Sequence, residues 1–373
     1  MVSSRDLPLL RKNLLGWFRK SQRDLPWRHS KDPYRIWLSE IMLQQTRVAA
    51  VIPYYQRFLS RFPDVAALAA ASAEEVLSLW SGLGYYRRAR DLQRAAQQIV
   101  AEHQGIFPRT EEQVLALPGV GCYTGAAILS MAFDRPLAVV DGNVARVVAR
   151  LGAIPGDLRN PTRWRHLQKS ARRLLDAQSP GDWNQAMMEL GAIACTPRAP
   201  QCLLCPVAKF CRARQLGLAE SLPEKRPKRA SVKVSLAVAV LLDPDGQTLL
   251  LPPPSSAPKQ MTPGNVAALV SRMWHFPTAV VEKSPAAELH RFLTRLLPPF
   301  AKRQAFELAS LPLARHAVTF REITVAPFRV ALENLPHIPG ARIVSLGQIA
   351  GQASLAVSNL TRKVARAAVR GTV

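Results

Sequence analysis

The sequence predicts a mainly α-helical protein that ends in a smaller α+β domain. Three observations carry that reading. Up to about residue 216, apolar residues recur at helical spacing in segment after segment. Residues 217–234 (GLAESLPEKRPKRASVKV) are charged and hold Pro223 and Pro227, a linker composition. Beyond them the apolar runs become short and strand-like: SLAVAVLLD, QTLLL, TAVVE, REITVAPFRVAL and ARIVSL. The expected organisation is a helical domain over 1–216, a linker over 217–234 and a sheet-containing domain over 235–373.

The first helix is predicted over 3–20, where Leu7, Leu10, Leu14 and Phe18 fall on one face. A loop containing LPWR leads to a second helix over 33–46, PYRIWLSEIMLQQT, with Pro33 suited to its first turn. Ile36, Trp37 and Leu43 stand at i−4, i−3 and i+3 from Glu40. Glu40 therefore shares an apolar face, and burial there would raise its pKa by disfavouring the charged form. Read alone, a glutamate is more often a solvated carboxylate, here paired with Arg47 or Arg35. Helices continue over 48–62 and 73–80. Gly82-Leu83-Gly84-Tyr85-Tyr86-Arg87-Arg88 follows, where glycines permit close backbone approach. Its adjacent aromatics and arginines suit a stacked base backed by phosphate, although a helix corner with two packed tyrosines would read the same way.

Residues 117–143, LPGVGCYTGAAILSMAFDRPLAVVDGN, carry the most information. Gly119 and Gly121 flank Val120 and predict a tight backbone turn. Helical patterns run before it (110–117) and after it (123–132). The turn thus ends on a helix N-terminus, whose unpaired N–H groups and dipole favour an anion. This is a helix–hairpin–helix, a shape that grips a DNA phosphate, and it carries no P-loop fingerprint. The chain then turns at Asp134-Arg135-Pro136, passes through apolar 137–140 and reaches Asp141-Gly142-Asn143 before a helix over 143–151. On its own, Asp141 could be an N-cap and nothing more.

Two further helices are predicted over 162–177 and 184–194. Cys195, Cys202, Cys205 and Cys211 follow, with six, two and five residues between them. Four thiols in so short a segment can enclose one metal centre. Zinc sites also contain C-x-x-C, but zinc ribbons usually pair two such units and one is present here. Arg198, Lys209, Arg212 and Arg214 surround these cysteines and suit contact with a DNA backbone, or simply form a solvated basic rim; Cys122 is expected to be a free thiol. In the last domain ELHRFLTRLL predicts a helix and 252–263 a mobile loop.

Charge and length narrow the classes. The 373 residues, 48% hydrophobic, are enough for two domains with a substantial core. Lys plus Arg number 50 against 26 acidic residues, a formal +24 that marks a nucleic-acid partner before an anionic membrane. A genome rich in G and C would supply some arginines but would not hold the acidic count so low. No run of eighteen apolar residues and no signal-peptide pattern is present. A cytoplasmic location is expected, where five cysteines point to metal or reactivity and not to disulfides.

LPGVG followed by VVDGNVARVVAR resembles the helix–hairpin–helix DNA glycosylases of the endonuclease III superfamily, and within it the MutY-type adenine glycosylases. The likeness is dense over 25–214 and thinner beyond. It implies a two-module helical glycosylase domain with a 4Fe–4S cluster on Cys195, Cys202, Cys205 and Cys211 (loop 195–211). It also implies a Nudix-like lesion-recognition domain, marked by the W-x-F-P at Trp274-His275-Phe276-Pro277. Glu282 and Glu288 follow without R-E-x-x-E-E, so Nudix hydrolysis is not expected. LSEIMLQQT places the family's catalytic acid on Glu40. Asp141 falls where a carboxylate stabilises the sugar cation, with Asn143 as its orienter. Trp27, Arg28 and Gln185 would line the adenine pocket. Gln45 and Thr46 would meet 8-oxoguanine, Leu83 and Tyr85 would wedge into the duplex, and Gly119, Val120 and Gly121 would hold phosphate. The family's Phe-Ser-His turn falls on Val318-Thr319-Phe320, a departure that makes His316, Thr319 and Phe320 the candidate lesion contacts.

The chemistry implied is base excision. Adenine leaves readily once a ring nitrogen is protonated, and the sugar then carries positive charge that a carboxylate can stabilise. Two carboxyl groups with opposed pKa values are needed: Glu40 protonated on its apolar face, Asp141 ionised at a helix start. Bifunctional relatives place a lysine at position 123 to form a Schiff base; Tyr123 cannot. The expectation is a monomeric, monofunctional, nucleoid-associated glycosylase acting on duplex DNA with 8-oxoguanine:A or G:A mispairs. The alternatives are an endonuclease III-like glycosylase/lyase and a catalytically silent mismatch-binding protein.

Overall fold

The computed structural model describes residues 2–158, 160–224, 230–253, 273–297, 307–318, 320–351 and 355–370. The chain divides into two compact units, Met1–Ala70 with Asp91–Pro227, and Ala71–Arg90 with Lys228–Val373. Among the described residues no helix is long and apolar enough to cross a membrane.

The first unit is helical. Helix α1 (Leu7–Ser21) buries Leu10, Leu14, Leu15 and Phe18 along one stripe. Helix α2 (Pro33–Leu43) starts at Asp32, whose side chain accepts from the Tyr34 N–H at 2.9 Å. It stops three residues short of the expected 46, because Gln44 leaves helical space and Gln45 takes a positive φ of 57°. Helix α3 (Val48–Arg61) matches its expected span, while α4 (Val65–Ala70) was not foreseen. Helix α6 (Arg87–His103) was also missed, although it has 17 residues. Its buried stripe, Ala89, Leu92, Ala95, Ala96 and Ile99, is mostly alanine, so the apolar period is hidden among arginines and glutamines.

Helices α7 (Glu111–Leu115) and α8 (Cys122–Phe133) form the predicted pair around the glycine turn. Helices α9 (Gly142–Gly152), α10 (Pro161–Leu174) and α11 (Pro180–Glu189) pack with α1 around Val147, Val148, Leu167, Trp183 and Leu190. Helix α11 runs into a single π turn, Leu190–Ala194, which delivers the chain to Cys195. Arg150 is buried in this core, with its guanidinium donating to Thr196 O at 2.7 Å and Leu222 O at 2.8 Å.

Among the described residues the second unit holds a seven-stranded sheet, with Ala73–Trp80 (α5) from the early part of the chain. Its spine is β1 (Val232–Leu242) running parallel to β6 (Arg321–Ala331), paired from Val232 with Arg321 to Leu242 with Ala331. Both faces of β1 are covered. Leu236, Val238 and Val240 point into one core, Ala237, Ala239 and Leu241 into the other, as the two-residue side-chain period requires. β2 (Gln247–Leu250), β3 (Thr278–Val280) and β7 (Arg342–Ser345) agree with the sequence reading; β4 (Ala309–Ser310) and β5 (Ala314–Val318) were missed. The predicted helix is Pro285–Leu296, on which Glu288 pairs with Arg291 at 3.2 Å. Helices Leu346–Ala350 and Asn359–Arg370 complete the unit. Residues 225–229 of the expected linker, 254–263 of the expected loop, and Thr319 lie outside the described residues.

Candidate active site

Helices α2 and α8 pack against each other and set Glu40 opposite Tyr123 at one wall of a cavity of about 920 Å³. Trp27, Arg28, Gln45, Thr46, Asp141, Asn143 and Gln185 line the same cavity. Residues spread over more than 150 positions of sequence are thus brought together.

Glu40 is 5% exposed, between Trp37 and Ile41 on α2. Burial pushes its carboxyl up to about 7 against the bond from the Tyr123 hydroxyl, which holds it down; Asp141 raises it further and Arg28 lowers it. The Tyr123 hydroxyl donates to Oε2 of Glu40 at 2.6 Å and lies 3.5 Å from the Met188 sulfur. Burial, then the Glu40 and Asp141 charges, push the Tyr123 phenol well above its ordinary value, so it remains a donor.

Asp141 is the N-cap of α9. Its Oδ1 accepts from the Val144 N–H at 2.7 Å and its Oδ2 from the Asn143 amide at 3.1 Å. Its pKa is nonetheless raised, because burial outweighs those bonds and the Arg146 charge. A helix start alone does not keep this carboxylate ionised. Two neighbouring carboxyls cannot both ionise freely, and the proton settles where the anion has fewer donors. Asp141 accepts from a backbone N–H and an amide, with a guanidinium nearby; Glu40 accepts only from Tyr123 among the hydrogen bonds described. The proton therefore belongs on Glu40 and the charge on Asp141. Asn143 is fixed in turn, its Oδ1 accepting from Arg146 at 2.9 Å. Gly191 permits this approach: a Cβ there would stand 2.7 Å from the Asn143 Cβ.

Arg28 does not project freely into the cavity. Its guanidinium donates to Glu189 Oε2 at 2.9 Å and to Arg23 O at 2.9 Å. Glu189, 1% exposed, also accepts from the Arg23 N–H, Nε and Nη2 at 3.0, 2.8 and 2.7 Å. Burial would raise its pKa, but the bonds from Arg23 and Arg28 hold it down at about 2. The sequence reading missed Glu189 and Met188. The available signal was spacing: Glu189 lies four residues beyond Gln185, on the same helix face. Trp27 is 8% exposed and meets Tyr55 edge-on, with ring centroids 5.4 Å apart.

The glycine turn lies elsewhere in the first unit, and its two glycines differ. Gly119 has φ +77°, and a Cβ there would meet the Asp91 Cβ at 2.8 Å. Gly121 is extended at φ −100° and faces open space. Val120 between them is buried. Leu83, Tyr85, His316 and Phe320 belong to the second unit. Leu83 is buried, whereas Tyr85 is 41% exposed. His316 ends up half-buried on β5, its pKa lowered by burial and by Lys363. Phe320 sits in the two-residue turn between β5 and β6, under the Arg321 guanidinium at 4.5 Å.

The four thiols of 195–211 are partly buried and lie near enough for their charges to influence one another. Burial pushes Cys205 up to about 11, and Cys195, Cys211 and Cys202 add to that rise. An all-sulfur donor set is of the chemical kind that holds a thiolate-bound centre. Among the described residues no group of three or more His, Cys, Asp or Glu stands ready to hold a single metal ion.

Comparison with known proteins places this geometry. The family model for "HhH-GPD superfamily base excision DNA repair protein" matches residues 38–175. The adenine DNA glycosylase of Mus musculus is 36% identical over 404 aligned positions, covering 97% of this chain and 78% of that protein. The adenine DNA glycosylase of Homo sapiens is 35% identical, covering 97% and 74%. A thermostable thymine-DNA glycosylase superposes with a TM-score of 0.52 at 30% identity, over 57% of this chain and 98% of that one. An endonuclease III–DNA complex shares the fold at a TM-score of 0.50 and 22% identity, over 58% of this chain and 99% of that one. With relatives this similar along nearly its whole length, and with a helix–hairpin–helix unit followed by an α+β unit, the chain belongs to the adenine DNA glycosylase family.

Proposed function

We propose that the protein removes adenine mispaired with 8-oxoguanine or guanine in duplex DNA, hydrolysing the N-glycosidic bond in base excision repair and leaving the strand uncut. The observation that carries this reading is the Glu40 carboxyl: buried, pushed up to about 7, bonded by Tyr123, and facing the same cavity as a better-solvated carboxylate, Asp141. A flipped adenosine enters the cavity, trading base stacking for protein contacts. Glu40 donates its proton to an adenine ring nitrogen, and the glycosidic electrons leave with the base. Asp141 stabilises the positive charge left on the sugar until water adds, and Asn143 holds the orientation of Asp141. Trp27, Arg28 and Gln185 bound the base, with Glu189 fixing the Arg28 plane.

Lyase chemistry needs a free amine. Tyr123 occupies the lysine position, and Lys31 on the cavity wall is held by Asp134 at 2.9 Å. Gly119, Val120 and Gly121 present backbone to phosphate. Gln45, Thr46, Leu83, Tyr85, His316, Thr319 and Phe320 are the proposed contacts around the opposite base, and 235–373 a Nudix-like reader of it. Cys195, Cys202, Cys205 and Cys211 would hold a 4Fe–4S cluster, which shapes the 195–211 loop and takes no part in the steps above. The protein is proposed to act as a monomer on cytoplasmic, nucleoid DNA.

Single-turnover adenine release from duplexes carrying 8-oxoguanine, guanine or cytosine opposite tests the reading. Release fastest opposite 8-oxoguanine, with strands intact until alkali and no borohydride-trapped adduct, is the expected result. A trapped adduct would favour the lyase reading and make Lys31 the residue to examine. Binding without release would favour a silent mismatch-binding protein.

A further inference from the structure

Helix α5 and the turn behind it are held by residues far along the chain, through bonds that the proposed chemistry does not use. Three residues of the turn have positive φ, Gly82 at 111°, Gly84 at 73° and Tyr85 at 50°, and the strain falls on Tyr85. A tyrosine in left-handed space costs on the order of 1 kcal/mol or more, so its surroundings must hold it. Part of the hold is local. Gly84 O accepts from the Trp80 indole at 3.1 Å and from Arg88 at 3.2 Å, and the Arg88 guanidinium lies over the Tyr85 ring at 5.3 Å.

The rest comes from 268 to 277 positions away. The Ser81 hydroxyl, buried at the end of α5, donates to Val357 O at 2.6 Å. The Asn359 amide donates to Gly82 O at 2.9 Å. At the other end of α5, Arg342 pairs with Glu74 at 2.5 Å. Trp274 joins these anchors: its N–H donates to Ala356 O at 3.0 Å, it bridges to Val357, and its ring lies 4.6 Å under the Arg342 guanidinium. The W-H-F-P motif, which the proposed chemistry leaves without a task, is thus the brace behind this turn.

We propose that Asn359 and the Val357 carbonyl, braced by Trp274 and Arg342, are positioning elements that set the 82–86 turn, so that residues near the C-terminus govern how Tyr85 meets the duplex. The consequence for DNA rests on the proposed role of Tyr85; the positioning itself does not. The W-H-F-P brace need not touch nucleic acid to affect recognition.

Asn359→Asp tests this in the full-length protein. The carboxylate matches the amide in shape but cannot donate to Gly82 O, and an acid in the first turn of Asn359–Arg370 favours that helix. Hydrogen exchange at the 82–86 amides should quicken at least tenfold without DNA, with an unchanged melting temperature. Affinity for a mispaired duplex should weaken several-fold. In a double-mutant cycle, Asn359→Asp with Tyr85→Ala should be no weaker than Tyr85→Ala alone, because both act through one side chain. Ser81→Ala, which removes the second bond from the opposite partner, should show the same non-additivity. Unchanged exchange in both variants overturns the positioning. Fully additive losses overturn the route through Tyr85. Unchanged affinity in Tyr85→Ala removes the reading of Tyr85 as a DNA contact, and the exchange data still judge the positioning.

Discussion

The cavity of the first unit and the tips of the second are built on opposite plans. In the cavity the carboxyl groups of Glu40 and Glu189 are buried and that of Asp141 is partly so, and named partners bear on the charge state of each. Glu40 is held against Tyr123, Asp141 against Val144 and Asn143, Glu189 against Arg23 and Arg28. At the tips, Tyr85 and Val318 are 41% and 38% exposed, and they rest on turn geometry and a few side-chain bonds. Preorganised charge serves bond breaking, where a misplaced proton is expensive. In the proposed function the exposed ring of Tyr85 on its left-handed turn suits contact with the duplex. Substitutions in the cavity should therefore cost orders of magnitude in rate, and those at the tips should cost small factors in preference.

The largest effect is expected at Glu40. Glu40→Gln keeps the volume and removes the proton, so single-turnover adenine release should fall on the order of 10³-fold or more while duplex affinity stays within a few-fold. Asp141→Asn keeps the α9 cap acceptor and removes the charge, with a loss of similar order. Normal release in either variant would break the assignment of proton and charge.

Next in size is the contrast between the two glycines of the turn. Gly119→Ala forces a Cβ against Asp91 at a φ of +77°, which should cost about 1–3 kcal/mol in unfolding free energy and weaken duplex binding. Gly121→Ala meets open space in extended backbone and should cost less than about 1 kcal/mol. Denaturant unfolding of both variants checks the difference; equal losses would mean that the turn tolerates no side chain at either position. The sequence marked both glycines, because spacing shows where a turn falls. It did not separate them, because the clash at Gly119 comes from Asp91 on a helix whose alanine stripe concealed it.

The same limit governs the rest of the reading. Positions within one element were legible: Glu40 among Ile36 and Trp37 did share an apolar face, and the β1 and β6 runs did read as strands. Partners supplied by distant elements were not. Glu189 is an ordinary acid in sequence, and only the fold puts two arginines on it. Asp141 was read from its helix start, while burial by its surroundings sets the direction of its shift.

A smaller effect, and a signed one, concerns pH. The role proposed for Glu40 requires its proton, so release should decline as pH rises through about 7. Tyr123 donates to the ionised carboxylate and lowers its pKa, so Tyr123→Phe should move that decline to higher pH. A decline moving to lower pH would mean that the phenol favours the protonated acid. Stability carries opposite signs at the two glutamates. Glu40 is raised from 4.5, so its contribution is full below that value and lost as pH rises through about 7. Glu189 is depressed from 4.5, so its contribution is present above that value and lost as pH falls through about 2. Glu40→Gln should flatten the neutral limb of the stability profile and leave the acid limb in place.

The smallest effect is expected at the β5–β6 turn. Val318 pairs with Arg321, so only positions 319 and 320 lie between the strands, and Arg321 stacks on Phe320. Thr319 is the one residue there with a short hydroxyl, and His316 is held below its usual pKa by burial and Lys363, hence neutral near pH 7. In the proposed function, lesion reading by this turn would draw on the Thr319 hydroxyl and the Phe320 ring, without the charge carried by the cavity. Losing a hydrogen bond to 8-oxoguanine would cost on the order of 1 kcal/mol, less than tenfold. Wild type should release adenine faster opposite 8-oxoguanine than opposite guanine. Thr319→Ala should narrow that ratio by less than tenfold, and Phe320→Ala by a similar factor through lost stacking, with release opposite guanine unchanged in both. Parallel single-turnover assays on the two duplexes measure the ratio. If wild type shows no preference, this turn does not read the lesion and the protein is a general adenine glycosylase; if Thr319→Ala slows both duplexes equally, the turn serves binding and not discrimination.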